Sequence, residues 1–419
     1  MEVALRARVL RLAARAVEQR FNADRSDHVG AHAPCSCGQN ARYAGRRRKR
    51  FQSVLGELSL RRAYYHCAGC GRGFCLRDKA LGLTDSSLSP ALLRMVGVVG
   101  ALVSFEEGSE LLGQLAGVAV GTKQVERSAE ALGEEIAEDE RRVVERPPSA
   151  EIAPTLYLGM DGTGVPMRPS ELAGRAGKQP DGTARTREAK LCTVWSAEGR
   201  DEEGIPVRDE GSVSYSAGIE SAAERDTDKI PSQFASRVMR EAVRRGFDRA
   251  ARQVVLGDGA AWIWNLTEVY LPGAIQIVDR FHVKQHLSDV AKAIWGPTSN
   301  VATHWAHRRH AELDEGRLSA MLRALSRHAA AKEEARKCVD YIRDNRTRMR
   351  YAEFRAAGLC TSTGVVEAGC KGVIGARLKR SGMHWTVRGA NAITALRCAK
   401  LSGRFEDFWE RRSHDRSAA

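Results

Sequence analysis

The sequence predicts an α/β protein, and three features of the 419-residue chain support that prediction. Two cysteine pairs lie in residues 32–82, with β-type segments predicted around residues 51–60 and 62–67. After residue 154, short apolar strands alternate with helices, whereas residues 282–356 are helical in pattern with no strand signal. A chain of this length is expected to form about two or three domains.

Composition limits the function classes. Lys and Arg number 66 against 52 Asp and Glu, a net charge of +14 that favours a polyanionic partner, nucleic acid before anionic membrane. Hydrophobic residues make up 43% and charged residues 28%, which argues against whole-chain disorder. The longest uncharged stretch near the front, residues 95–105, is too short to cross a bilayer, which needs about 20 residues. Most of the ten cysteines are scattered along the sequence, which argues against a disulfide framework and favours a reducing cytosol.

The amino-terminal part combines a helix with a cysteine-rich segment. Residues 1–30 are expected to hold one amphipathic helix rather than a secretory signal, because arginines interrupt the apolar residues. In residues 31–85, two knuckles supply the four thiols of a zinc ribbon: Cys35, Cys37, Cys67 and Cys70. The first pair is C-x-C rather than the commoner C-x-x-C, so three residues remain spare ligands: Cys75, His32 and His66.

Basic residues between the knuckles point to DNA. The run consists of Arg46, Arg47, Arg48, Lys49 and Arg50. Five adjacent cations on a metal-braced hairpin are expected to contact phosphates, since each neutralised phosphate releases counterions. A solvated charged face is the alternative.

Residues 86–150 are predicted to be helical. Segments 105–116 and 121–133, joined by residues 117–120, form a helix-turn-helix candidate whose second helix presents Lys123, Gln124 and Arg127 to a major groove. A plain helical hairpin inside a bundle is the alternative.

The third part has the element order of an RNase H-like sheet. Strands are predicted at residues 155–160, 190–195, 212–217, 253–257 and 274–278, with a helix at 232–246 before the fourth strand. We therefore expect an RNase H-like catalytic core at 151–295, an all-helical insertion at 296–358, a carboxyl-terminal part of the core at 359–412 and a disordered tail at 413–419.

Three acids are placed to act together in this core. Asp161 and Asp258 are predicted to end neighbouring strands, and Glu367 lies at the start of the last helix of the core, which is predicted over residues 364–380. Three carboxylates gathered in this way can hold two Mg²⁺ or Mn²⁺ ions for phosphodiester chemistry. Asp279 and His282 follow the fifth strand and are expected to orient the scissile phosphate or steady the acids. A helix cap with a histidine at the edge of the core is the alternative. The cations expected to hold DNA phosphates beside the acids are Lys371, Arg377, Lys379 and Arg380.

Five strings carry a family resemblance: RRAYYHCAGCGRGF, YLGMDGTGVP, VLGDGAAWIWN, IVDRFHVKQHL and STGVVEAGCKGVIGARLKRSGMHWT. Together they resemble DDE transposases of bacterial insertion sequences, in particular the ISKra type, over about residues 30–410. The resemblance implies that the catalytic acids are Asp161, Asp258 and Glu367. Asp279 and His282 match the Asp/Cys-x-x-His element of similar Mutator-like transposases. One departure is Cys370, which stands where related elements often have Asn.

The resulting expectation is a cytoplasmic bacterial DNA transposase. It would hydrolyse a phosphodiester at each element end and join the freed 3′-hydroxyl to target DNA, with magnesium and structural zinc as cofactors. The partners would be double-stranded DNA, both terminal inverted repeats and target, and further copies of the chain in a synaptic complex. Two alternatives remain, a non-catalytic zinc-ribbon and helix-turn-helix regulator and a nuclease that cuts without joining.

Overall fold

The computed structural model describes residues 1–84, 86–177, 179, 182–222 and 230–418, with side chains up to residue 413. The chain forms two compact units, Met1–Asp139 with Gly403–Ala419, and Glu140–Ser402. Strands and helices are mixed, as the α/β prediction requires. No helix in the described part of the chain has both the length and the apolar character needed to cross a bilayer.

The first unit opens with a helix and a four-stranded antiparallel sheet of order β1-β2-β3-β4, followed by further helices. The elements are α1 (Glu2–Ala23), β1 (His32–Pro34), β2 (Asn40–Ser53), β3 (Gly56–His66), β4 (Gly73–Phe74), α2 (Leu76–Ala80), α3 (Pro90–Leu102), α4 (Phe105–Leu111) and α5 (Thr122–Arg142). One small core, formed by residues such as Ala41, Ala63 and Tyr65, lies under the cysteine-rich end of the sheet.

The long β2–β3 hairpin corrects one sequence prediction. Residues 51–60 were expected to be one β-type segment, but the chain turns at residues 54–55 and Ser53 pairs with Gly56. The Ser53 hydroxyl accepts from the Leu55 N–H and donates to the Gly56 carbonyl. Gly56 has a φ of 108°, a conformation that only glycine adopts without strain. The turn chemistry outweighs the apolar pattern on either side.

The helices of the first unit begin at clear capping residues. Ser89 caps α3 through the Leu92 N–H, with Pro90 in the first turn, and Ser104 forms a capping box with Glu107 at the start of α4. Helix α4 continues into a π-helical turn, Leu112–Ala116, which ends at Gly117 with a φ of 72°. The linker then leads into α5.

The second unit is built on a mixed five-stranded sheet of order β11-β10-β5-β6-β9. Its elements up to the last strand are β5 (Thr155–Pro166), β6 (Thr186–Ser196), β7 (Gly199–Arg200), β8 (Pro206–Val207), β9 (Ser214–Gly218), α6 (Gln233–Arg244), β10 (Arg252–Gly257), α7 (Ala261–Tyr270) and β11 (Ile275–Val278). β5, β6 and β9 form an antiparallel meander, while β10 runs parallel to β5 and β11 parallel to β10.

The edge of this sheet differs from the prediction in one respect. Asp161 was expected to end its strand, but β5 continues to Pro166 and stays paired with β6 throughout. The parallel pairing with β10 stops earlier, at Gly159 opposite Leu256. Asp161 therefore lies where β5 extends beyond its parallel neighbour.

The rest of the second unit is helical. The elements are α8 (Arg280–Trp295), α9 (Asn300–Asp314), α10 (Leu318–Ala329), α11 (Glu333–Asp344), α12 (Tyr351–Ala356), α13 (Gly364–Gly369), α14 (Ala376–Leu378) and α15 (Val387–Leu401). A π-helical segment, Cys370–Gly375, joins α13 to α14, so the single helix expected over residues 364–380 is interrupted. Such segments frequently occur at functional sites.

The last helix, α16 (Phe405–Ala418), belongs to the first unit. Residues 403–412 were assigned to the catalytic core from the sequence, yet α16 packs on helices of the first unit. Arg94 forms a bidentate pair with Glu406, and Arg411 pairs with Asp139. The helix also spans residues 413–418 of the segment 413–419 for which the sequence predicts a disordered tail, and residue 419 lies outside the described residues.

Candidate functional site

The four predicted zinc ligands form one cluster. The Sγ atoms of Cys35, Cys37, Cys67 and Cys70 all lie within 4.8 Å of one another. Cys35 lies 3.6 Å from Cys70, and Cys37 lies 3.6 Å from Cys67. A tetrahedral site with Zn–S bonds of about 2.3 Å places its sulfurs about 3.8 Å apart, so the cluster fits a thiolate-bound metal.

Backbone hydrogen bonds shape both knuckles. The Cys35 N–H donates to the Gln39 carbonyl over 2.8 Å, and the Cys67 N–H donates to the Arg72 carbonyl over the same distance. Gly38 and Gly71 have φ values of 83° and 69°, which permit the tight turns. The short C-x-C knuckle therefore closes without a substitute ligand. The spare candidates Cys75, His32 and His66 are not part of the cluster.

The pKa values of two cluster thiols shift in opposite directions. Against the lowering effect of the backbone hydrogen bond of Gln39, hydrogen bonds with the neighbouring thiols raise the pKa of Cys37 to about 11. Hydrogen bonding from the backbone N–H of Cys37 lowers the pKa of Cys35 to about 7, against the effect of burial. A thiolate is the form that binds metal. By contrast, burial raises the pKa of the nearby Cys75 thiol.

The acidic residues approach one another at the edge of the second sheet. Asp161 and Asp258 stand two residues beyond Gly159 and Leu256, which are register partners in the parallel β5–β10 pair. Helix α13, which carries Glu367, packs on the same strand. A side chain at Gly159 would meet Val366 at 2.1 Å, so glycine is required where the helix crosses the strand.

The three acids interact electrostatically. Burial raises the pKa of Asp161, and the nearby carboxylates of Asp258 and Glu367 raise it further. Hydrogen bonds from the Gly162 N–H and the Cys370 thiol act in the opposite direction. Asp161 is thus a carboxyl group held in a partly buried, negatively charged environment.

The acids do not form a closed cluster. Among the described residues, the cysteine cluster is the only group of three or more His, Cys, Asp or Glu whose ligand atoms all lie within 4.8 Å of one another. The Glu367 side chain is 55% exposed and lies 3.5 Å from the Lys371 ammonium. Asp258 Oδ1 accepts from the Ala260 N–H over 2.9 Å. Each acid therefore has a local partner in the structure.

Asp279 has a structural position. It is 2% exposed, and its carboxylate accepts from the His282 N–H at the start of α8 and from both the N–H and the hydroxyl of Thr363. Thr363 is the residue before α13, so Asp279 ties the end of β11 to the helix that carries Glu367. Asp279 therefore caps α8 and steadies the helix that carries Glu367, while a contact with the scissile phosphate stays a prediction.

The basic run on β2 divides into internal and outward-facing residues. Arg46 pairs with the buried Asp27 at 2.9 Å, and Lys49 donates to the Leu83 carbonyl and lies 3.8 Å from Asp78. Arg47 and Arg48 are exposed, and Arg47 lies 3.6 Å above the Tyr64 ring. Arg50 is exposed and lies 3.9 Å from Glu57. Arg46 and Lys49 stabilise the ribbon rather than contact a partner.

The residues of helix α5 that are predicted to contact DNA differ in their exposure and in their hydrogen-bond partners. Arg127 is exposed, and Lys123, whose side chain is 78% exposed, pairs with Glu126 at 2.7 Å. Gln124 donates to the Ser87 hydroxyl over 2.9 Å, so it is engaged within the unit.

The cations that follow Glu367 also separate into two groups. Arg377 is fully buried, stacks over Trp385 at 5.3 Å and has one guanidinium nitrogen beside the Met383 sulfur, which removes it from any DNA surface. Lys371, Lys379 and Arg380 are exposed. Lys379 donates to the Thr163 hydroxyl, two residues beyond Asp161.

A cavity of about 1360 Å³ lies in the first unit, between the ribbon and α5. Basic and aromatic side chains contribute to its lining, including Arg47, Tyr64, Arg72, Lys79 and Arg127. The acidic lining residues Asp78 and Glu135 are paired with Arg62 and Arg412. The ribbon and the second helix therefore face one shared, predominantly basic cavity.

Sequence reasoning missed several residues around the acids. Cys370 contacts Asp161, and Thr363 binds Asp279. Tyr341 and His286, from the helical segment, lie beside Asp258. Cys370 stood out as a departure from the family pattern, whereas Tyr341 lies 83 residues from its partner, and no local pattern pointed to it.

The fold and the cysteine cluster define an α/β protein with a candidate four-thiol metal site. The chain belongs to UPF0236, described as an uncharacterised protein family, whose model matches residues 39–412. No curated protein matches the chain. Among solved structures, the chain is similar to "Drosophila P element transposase strand transfer complex", at 9% identity over 81% of this chain and 84% of that one, with a TM-score of 0.28. A score this low establishes neither a shared fold nor a shared function.

Proposed function

We propose that this protein is a DNA transposase of the DDE type, similar to the ISKra group, with an RNase H-like core. The observation that carries the proposal is the register of the sheet. Asp161 and Asp258 occupy equivalent positions beyond a parallel strand pair, and α13 brings Glu367 onto the same strand. Two of the acids lie beyond neighbouring strands of a sheet of order β11-β10-β5-β6-β9, and the third lies on a helix that packs on one of those strands. This strand order, with its parallel and antiparallel pairing, is the one expected of an RNase H-like fold.

Electrostatics supports a shared role for the acids. Burial and, to a smaller extent, repulsion from the carboxylates of Asp258 and Glu367 raise the pKa of Asp161, and a cation bound nearby would stabilise its charged form. Oxygen ligands suit Mg²⁺ or Mn²⁺, which would supply charge stabilisation and activation of the attacking water or 3′-hydroxyl. Asp161 and Asp258 are held by the sheet and its turn, whereas the Glu367 side chain is 55% exposed and would turn toward them by giving up its contact with Lys371.

The chain's own cations would hold the phosphates. Lys371 follows Cys370, which contacts Asp161, and Lys379 itself donates to the Thr163 hydroxyl. Both lysines are exposed and would bind the DNA backbone. In the first unit, we assign zinc to the four-thiol cluster and recognition of terminal inverted repeats to the basic cavity. The α4–α5 pair would act as the helix-turn-helix. Two ends must be cut together, so a homo-oligomeric complex is expected.

One observation favours a second candidate, a non-catalytic DNA-binding regulator. Only the cysteine cluster gathers its ligand atoms within 4.8 Å in the described residues, and it lies in the unit with the basic cavity. A regulator would need that unit alone and would leave the three acids without a shared role.

End cleavage separates these candidates. The full-length protein is incubated with duplex DNA from the ends of the native locus, with and without Mg²⁺. A transposase yields a Mg²⁺-dependent nick at each end and joins pre-cut ends to target DNA. A nuclease gives the first product only, and a regulator binds the same DNA but gives neither.

A further inference from the structure

We propose that Tyr341 is a positioning residue that holds the turn carrying Asp258. Its hydroxyl donates to the Asp258 carbonyl over 2.7 Å. Tyr341 belongs to α11, within a helical segment that contributes no strand to the sheet. The inference rests on the proposed function only in so far as Asp258 is taken to be one of the three catalytic acids.

The ring of Tyr341 also closes over the turn. Gly259 has a φ of 98°, and a side chain there would lie 2.5 Å from the Tyr341 ring and 2.6 Å from its hydroxyl. The glycine therefore serves two needs, a left-handed turn and room for the tyrosine. Within the turn, the Ala260 N–H donates to Asp258 Oδ1. The carboxylate and the backbone carbonyl of the same residue are thus fixed from two sides.

Aromatic contacts connect Tyr341 to the next strand end. Its ring lies 4.8 Å from that of His286, which lies 4.6 Å from that of His282. The His282 N–H donates to Asp279, at the end of β11. Helices α8 and α11 therefore brace two neighbouring strand ends as a unit. The helical segment acts on the acid-bearing edge through this contact.

A second tyrosine offers a matched control. The hydroxyl of Tyr351, on α12, donates to the Val278 carbonyl over 2.9 Å at the end of β11. Tyr341→Phe and Tyr351→Phe each remove one hydroxyl that binds a strand-end carbonyl. Only the first of these carbonyls belongs to one of the three acids.

The test compares full-length wild type with both variants. Hydrogen exchange is followed in a peptide spanning residues 257–261, and the Mg²⁺ concentration for half-maximal end cleavage is measured. We expect Tyr341→Phe to exchange faster in this peptide than Tyr351→Phe and to raise the half-saturating Mg²⁺ concentration about two- to tenfold, the effect of one net hydrogen bond. The maximal rate at saturating Mg²⁺ and the affinity for DNA should stay at the wild-type values.

The outcomes separate the two proposals. Equal exchange in the two variants overturns the positioning role, whether or not the wild type cleaves DNA. Equal half-saturation in the two variants overturns it as well, because a structural tyrosine would affect only stability. Absence of Mg²⁺-dependent cleavage by the wild type rejects the transposase proposal, while the exchange comparison still decides whether Tyr341 holds the turn.

Discussion

The two candidate metal sites differ in how closely their ligand atoms lie together in the structure. The cysteine cluster has sulfur atoms 3.6 Å apart across its knuckles, close to the geometry of a bound metal. Asp161 and Asp258 lie beyond register partners at one sheet edge, but among the described residues no acidic group has its ligand atoms as close together as the four sulfurs. A protonated thiol is neutral, so thiols that are at most partly ionised can lie close together, whereas carboxylates repel one another until a cation neutralises them. An open acidic site and a closed thiol site are therefore expected from the same chain.

The largest expected effect concerns the closed site. Cys67→Ser should abolish zinc binding and unfold the ribbon, because structural zinc contributes of order 10 kcal/mol to such small domains. The zinc content measured by elemental analysis should fall from about one ion per chain to none. Binding of terminal-repeat DNA should become weaker. Cys75→Ser is the matched control, since Cys75 is nearby but outside the cluster. Zinc retained by Cys67→Ser, or lost by Cys75→Ser, would contradict the ligand assignment.

The next effect tests whether Asp279 supports the acidic edge. Asp279→Asn places an amide against the N–H and hydroxyl donors of Thr363 or His282, so at least one buried donor loses its acceptor. We expect the free energy of unfolding to fall by about 2 kcal/mol. Denaturant unfolding followed by a probe in the second unit measures it. Asp289→Asn, at an exposed position, should leave stability unchanged. An Asp279→Asn protein as stable as wild type but unable to cleave DNA would instead favour a catalytic role.

The smallest effect concerns the basic cavity. Arg47→Ala should weaken DNA binding and reduce the dependence of log affinity on log salt by about one, as expected for one phosphate contact. Lys49→Ala is the control, because Lys49 is bonded to Leu83 and lies beside Asp78. Its loss should lower stability without changing the salt dependence. Fluorescence anisotropy at several salt concentrations measures the DNA affinity of both variants. An equal change of the salt dependence in the two variants would contradict a phosphate contact by Arg47.

Structural features that depend on a few neighbouring residues were the easiest to predict from the sequence. The two cysteine knuckles are each a few residues long, so their turn geometry follows from Gly38 and Gly71. The positions of the sheet strands along the second unit could also be predicted from runs of apolar residues. The extent of β5 beyond Asp161 did not, because strand ends depend on pairing with β6.

Tertiary contacts decided what the sequence left open. Arg377 and Lys371 look alike in a basic run, yet one is buried against Trp385 and the other is exposed. The same holds for Arg46 and Arg47 on β2, where only the first meets a buried Asp27. The contact of Tyr341 with Asp258 joins residues 83 positions apart and needs the fold to be seen.

The central claim is that Asp161, Asp258 and Glu367 act as one metal-dependent site. The most direct measurement is end cleavage of native-locus DNA by wild type and Asp161→Asn across a Mg²⁺ titration, with zinc content and DNA affinity measured on the same samples. The account predicts Mg²⁺-dependent cleavage by the wild type, none by the variant, and equal zinc content and DNA binding in both. Cleavage by Asp161→Asn at the wild-type rate, or a folded wild type that binds these ends and never cuts them, would contradict it.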